Sequence, residues 1–315
     1  MRAFLLDHRP IVRRDYPDPA PASGESIVRV RLAGICGTDL ELARGYMSFR
    51  GVPGHEFIGE VVGTGSRPLM GKRVVGEINA GCGRCARCRE GLARHCPDRT
   101  VLGILNRDGA FAEYLRLPDE NLIALPDSVT DEAGVFVEPI AAIYEIFEQT
   151  RLGRGAKIAV LGDGRLGALT AIVFRAEGYA VVLGGHHRNK LDRLAGLGLD
   201  VQLEERLEPG FDVAIDCTGV GAGLNRALAL VRPRGTVILK STAAAGAALN
   251  LAQAVVNEIT IVGSRCGRFA PAIAALDAGK IDPRQLISGI FSLDEAPAAL
   301  DAAGRSPNFK VLLKP

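Results

Sequence analysis

Four cysteines crowd into one loop-length segment, Cys82, Cys85, Cys88 and Cys96, spaced C-x2-C-x2-C-x7-C. Four thiolates at such spacing close a tetrahedral shell around zinc and leave no position open for chemistry. The glycines and arginines between them suit a tight loop, and the positive side chains offset thiolate charge. Disulfides, a redox pair built on one C-x-x-C, or an iron–sulfur cluster are the alternatives. A cytoplasmic chain disfavours the first, and four regularly spaced cysteines exceed what the second needs. A structural zinc is the reading adopted.

A second set is scattered. Cys36 lies in G-I-C-G-T-D-L-E with Thr38 and Asp39, His55 and Glu56 lie in V-P-G-H-E-F, and Glu138 lies in F-V-E-P-I. A lone Cys is usually a small buried hydrophobe, and a lone His a satisfied core or surface residue. Together, Cys36, His55 and one carboxylate would leave a fourth position free, as a catalytic zinc requires. Glu138 is an acid among apolar residues and needs a partner, which a metal would supply.

The third set is a turn. In K-I-A-V-L-G-D-G-R-L-G, Lys157–Gly167, an apolar strand runs into Gly162, Gly164 and Gly167. A helix pattern follows from Leu166 to Arg175 and stops at Gly178. Such a turn aims backbone N–H groups and a helix N-terminus at a pyrophosphate. Gly162, Gly164, Arg165, Leu166 and Gly167 are therefore the candidate cofactor contacts. After the next strand, Ala180–Leu183, NAD-preferring units carry an acid. This chain reads Gly184-Gly185-His186-His187-Arg188-Asn189-Lys190 instead. Basic His186, Arg188 and Lys190 would pair with a 2′-phosphate, so NADP is expected over NAD. The alternative is an ordinary solvated loop.

The elements around these sets divide the chain. The 315 residues allow two domains, and 47% hydrophobic with 23% charged residues describe an ordinary globular protein. A net charge of +2 without a basic block points to neither nucleic acid nor membrane. No apolar run reaches a membrane span and the start is too charged for a signal peptide, so a cytoplasmic protein is expected. Before about residue 138, strand patterns at Ser26–Leu32, Phe57–Val62, Lys72–Val75 and Ala110–Leu117 suggest an antiparallel, partly barrel-like β domain. After it, strands at Asp212–Cys217, Thr236–Lys240 and Ile259–Val262 alternate with helices such as Leu224–Val231. That alternation argues for a parallel sheet covered on both faces. The tail adds a helix from Ala270, one opened by a Ser292/Glu295 capping box, and a strand at Lys310–Leu313.

In order and spacing, G-I-C-G-T-D, G-H-E, the four-cysteine loop, D-G-A-F-A-E-Y, E-P and the glycine fingerprint resemble the zinc-dependent medium-chain dehydrogenase/reductases, the alcohol and polyol dehydrogenases. The resemblance spans essentially the whole chain. It implies an α/β protein: a doubly wound Rossmann sheet over residues 139–267 and a GroES-like, mostly antiparallel β catalytic domain over 1–138, completed by 268–315, with the active site in the cleft between. It implies a catalytic zinc on Cys36, His55 and Glu138 besides the structural one, two per chain. Glu56 would be an occasional ligand, Asp39 would orient His55, and Thr38 would pass the alcohol's proton to the cofactor ribose. Loops near Thr218, Ser241-Thr242 and Ser264-Arg265 would lie beside the cofactor, making Thr218 and Arg265 further candidates. A small alcohol or carbonyl substrate and a homodimer or homotetramer follow. Two departures stand out: Glu41 replaces a histidine that many relatives use to complete the proton relay, and the connection near Ser66–Gly71 is trimmed. Rival readings are a zinc-free reductase of the same fold and a non-catalytic NADP-binding protein with a structural zinc.

Overall fold

The computed structural model describes all residues except 8, 21, 65–66 and 242–250, so Ser66 and Thr242 lie outside the described residues. The chain forms two compact units, one of residues 1–138, 269–278 and 287–315, the other of 139–268 and 279–286.

Among the described residues, the first unit is built on a mixed seven-stranded sheet. Its order is Ile287–Ser292, Lys310–Lys314, Glu25–Gly34, Glu56–Thr64, Arg73–Gly76 and Leu122–Ala124, with Tyr114–Pro118 also pairing Glu25–Gly34. The last two chain segments pair parallel and the rest antiparallel. Alternation of buried and open positions along Glu25–Gly34 is what a half-covered strand requires. The expected strand over Ala110–Leu117 is shorter, Tyr114–Pro118. The N–H groups of Ala110 and Phe111 go instead to the carbonyls of Gly54 and Pro53. They hold the P-G-H-E turn, where Gly54 has φ +96° and a Cβ would fall 2.4 Å from the Phe111 ring. Only glycine fits that turn.

The second unit holds a parallel sheet ordered Asp200–Leu203, Ala180–Gly185, Lys157–Leu161, Phe211–Asp216, Val231–Leu239, Thr260–Gly263 among the described residues. This is the doubly wound order in which ligands settle outside the strands' carboxyl ends, where the order reverses. Lys157–Leu161 lies at that reversal and is buried from Ile158 onward, as a strand covered on both faces must be. Ala159, Leu161, Ala214, Leu224, Leu228 and Val237 form its core with neighbours. The fingerprint helix runs Arg165–Ala176. One expectation changes: the basic segment after Gly185 is a loop only to His187, and a helix begins at Arg188 (Arg188–Gly196).

Candidate functional site

Cys36 ends the Glu25–Gly34 strand's exit and caps the helix Gly37–Ala43. Its backbone N–H donates to Asp39 Oδ2 at 2.8 Å, while Asp39 Oδ1 accepts from the Gly54 N–H at 3.1 Å. Asp39 is fully buried. One carboxylate thus ties the Cys36 segment to the turn that carries His55. His55 Nδ1 lies 3.5 Å from Asp39 Oδ1, beyond a good hydrogen bond, and is a buried nitrogen without a hydrogen-bond partner among the described residues.

Ligand atoms of Cys36, His55 and Glu56 lie within 4.8 Å of one another. Tetrahedral zinc with bonds of about 2.0–2.3 Å needs ligand separations of about 3.3–3.8 Å. A sulfur, an imidazole and a carboxylate gathered this closely, with an orphaned ring nitrogen among them, fit such an ion. Burial disfavours a charged His55, but the Asp39 carboxylate and the Cys36 sulfur hold its pKa well above the ordinary value. The surroundings favour positive charge there.

Glu138 stands outside this group of three; it is half-buried in the first turn of the helix Val137–Gln149. Glu56 is engaged on its other side by the buried ammonium of Lys310, on the C-terminal strand Lys310–Lys314. Gly34 makes room for this carboxylate, since a Cβ there would fall 2.5 Å from Glu56 Oε2. Sequence reasoning did not find Lys310, because no local pattern marks a lysine 254 positions away as a partner. Thr38 Oγ1 lies 3.9 Å from Cys36 Sγ. Glu41 is bound to Arg44 at 2.6 Å on the helix surface.

The cysteine loop is assembled as spacing suggests. All four sulfurs fall within 4.8 Å of one another, with Cys85 Sγ 3.6 Å from Cys88 Sγ and 3.7 Å from Cys96 Sγ. Disulfide bonds are about 2.05 Å, whereas sulfurs on one zinc stand about 3.8 Å apart. None of the seven cysteines forms a disulfide. N–H groups of Arg84 and Cys85 pull Cys82 down to about 6, whereas burial and contact with Cys85 push Cys88 up to about 12. Four sulfurs this close cannot all carry charge unaided, and a dication removes the conflict.

In the second unit the three glycines separate by role. Gly162 has φ +107°, and a Cβ on Gly167 would fall 1.8 Å from the Gly162 carbonyl oxygen. Gly164, at φ −81°, caps the helix and has, among the described residues, no atom within 4 Å of a would-be Cβ. The first and third therefore shape the turn, and the second faces open space that suits a phosphate. Arg165 and Leu166 open the helix. At the neighbouring strand ends, Thr218 Oγ1 donates to Asp216 Oδ1 at 2.7 Å, and the Arg265 carbonyl accepts from the buried Lys240 ammonium at 2.5 Å. His186, His187 and Arg188 are exposed beyond Gly185.

Comparison with known proteins agrees with this arrangement. Residues 22–127 match the family model for an alcohol dehydrogenase GroES-like domain, and 166–278 that for a zinc-binding dehydrogenase. A sorbitol dehydrogenase of Halalkalibacterium halodurans is 28% identical over 326 aligned positions, 96% of this chain and 95% of that one. Among solved structures, the alcohol dehydrogenase TADH from Thermus sp. ATN1 is 30% identical with a TM-score of 0.88, over 100% of this chain and 99% of that one. A protein of Sinorhizobium meliloti 1021 described as a zinc-binding dehydrogenase, bound to NADP, is 28% identical with a TM-score of 0.90, over 100% and 99%.

Proposed function

Because the chain belongs to the zinc-dependent medium-chain dehydrogenase/reductases, we propose that Cys36 and His55 hold a catalytic zinc and that the Gly162–Gly167 turn holds the cofactor with which it works. The protein is a nicotinamide-dependent alcohol or polyol dehydrogenase, moving a hydride between a CH–OH group and the cofactor. The gathering of Cys36, His55 and Glu56 within 4.8 Å, apart from the four-cysteine loop, carries the catalytic reading.

Bound zinc would supply a Lewis acid that lowers a substrate hydroxyl's pKa, and the nicotinamide would supply the hydride acceptor. Asp39 fixes the backbone of both ligand segments. The third ligand is a carboxylate: Glu138 is the one the family implies, and Glu56 the one already held beside Cys36 and His55. Thr38 Oγ1, next to Cys36, takes the hydroxyl proton. Glu41, half-exposed and paired with Arg44, is where that proton would meet solvent.

NADP is preferred over NAD on the strength of Arg188, which opens its helix and faces no carboxylate among the described residues. A homodimer or homotetramer is read from the sheet edge. Among the described residues Thr260–Gly263 ends the parallel sheet, and in the helix Leu251–Val256, Val255 and Val256 are 76% and 80% exposed. Such edges are normally covered. The cysteine usage suits the cytoplasm.

Metal analysis with turnover on a panel of polyols and simple alcohols tests the reading. Two zincs per chain and cofactor-dependent turnover are expected, with Cys36→Ala or His55→Ala losing one zinc and all turnover while still folded. One zinc in the wild type would favour a zinc-free reductase or a non-catalytic protein.

A further inference from the structure

The strand Ala180–Gly185 ends without an acid, yet an acid occupies that place. Asp163, between the first two fingerprint glycines, is buried, and its Oδ2 accepts the backbone N–H groups of His186 at 2.8 Å and His187 at 2.7 Å. The His187 ring Nδ1 lies 3.0 Å from both carboxylate oxygens, and Lys190 Nζ lies 3.8 Å from Oδ1. Gly185 is what admits it: a Cβ there would fall 2.5 Å from Asp163 Cβ and 2.6 Å from Oδ2. Burial works against its charge, but the His187 contacts and Lys190 hold its pKa below the ordinary value. His186 in turn lies 3.4 Å from Glu204 Oε2. Of the basic side chains after Gly185, only Arg188 faces no carboxylate among the described residues.

We propose that Asp163 is a coenzyme-selecting residue: its carboxylate, delivered from the fingerprint turn to the missing acid's place, holds the His187 ring, pairs with Lys190 and leaves Arg188 as the lone cation for a 2′-phosphate. The proposal rests on the dinucleotide lying at this turn. A carboxylate at the strand end repels a 2′-phosphate and occupies a cation that would otherwise bind it, so Asp163 moderates the NADP preference, which then rests on Arg188 alone. The discrimination is therefore set by a residue more than twenty positions before the strand end at which it acts.

Dissociation constants of NADPH and NADH for the full-length, zinc-loaded protein and its Asp163→Asn variant test this by fluorescence titration. Releasing one positive charge towards the 2′-phosphate should move the NADPH:NADH affinity ratio about tenfold towards NADPH. Equal changes in both constants, or a shift towards NADH, overturn the proposal and leave Asp163 a structural cap. Should Asp163→Asn not fold, Arg188→Met and Lys190→Met replace it. Arg188→Met should cost NADPH binding about tenfold and Lys190→Met less than about twofold, and equal losses overturn the proposal. Wild-type protein that binds neither dinucleotide refutes the fingerprint reading and the proposal together, whereas binding with an unmoved ratio refutes the proposal alone.

Discussion

Gly164→Ala separates the fold from its use. A Cβ at this position meets no atom of the described residues within 4 Å, and φ −81° with ψ −177° suits any residue. Alanine is a poorer helix cap than glycine by about 1 kcal/mol, and the stiffer unfolded chain returns about 0.4–1 kcal/mol. The two nearly cancel, so Tm should move by no more than about 2–4 °C. The methyl group would, however, stand where a pyrophosphate approaches the helix N-terminus. Losing one charge-assisted N–H bond costs about 1.5–3 kcal/mol, a rise in NADPH Kd of about 10- to 150-fold. Gly167→Ala is the control: its Cβ would sit 1.8 Å from the Gly162 carbonyl oxygen, backbone that cannot step aside, and Tm should fall steeply. Melting curves and NADPH fluorescence titrations on both variants decide the matter. Wild-type affinity in Gly164→Ala would show that no phosphate uses this turn, and a collapsed Tm in the same variant would show the open space to be needed by the fold.

Cys88→Ser should remove one zinc and cost more than about 4 kcal/mol, as loss of a structural metal does; an unchanged Tm would end the structural-zinc reading. Lys310→Met should strand the Glu56 carboxylate, buried to 1% exposure, at a cost of about 3–5 kcal/mol. Zinc at Cys36 and His55 should recover part of that loss, so equal Tm drops with and without metal would argue against Glu56 reaching the ion. Acid should expose Asp163: its folded pKa lies below the ordinary 3.8, so its contribution is complete above that value and is lost as pH falls through the lower folded one. Tm of the wild type should fall faster than that of Asp163→Asn as pH drops below the ordinary 3.8, and parallel curves would contradict the contact.

What could be read in advance was local. The cysteine loop and the fingerprint each sit in one short stretch, so spacing alone suggested their chemistry, and both are assembled in the structure. The helix at Arg188 escaped because nothing beside it signals a start: His187 offers no side-chain cap, and the acid that gathers the preceding N–H groups, Asp163, comes from another strand's end. Asp39 escaped in part. Three residues after Cys36 it completes a capping box, a pattern hidden because the first member is a cysteine rather than a serine. The strand expected over Ala110–Leu117 starts too early because the consecutive buried Ala110, Phe111 and Ala112 pack against a turn as readily as they would along a pleat. The Lys310–Glu56 pair had no local trace.

That pair also fixes when the site can exist. Lys310 is delivered by the ribosome 254 positions after Glu56. Until then the carboxylate has to stay in water, because burying it unaccompanied is too costly. The surroundings of Glu56 are thus finished only when the strand Lys310–Lys314 arrives, not by growth of the segment around Glu56. Nascent chains halted before residue 310 should leave the Glu56 region open to protease, and chains that include Lys310–Lys314 should close it.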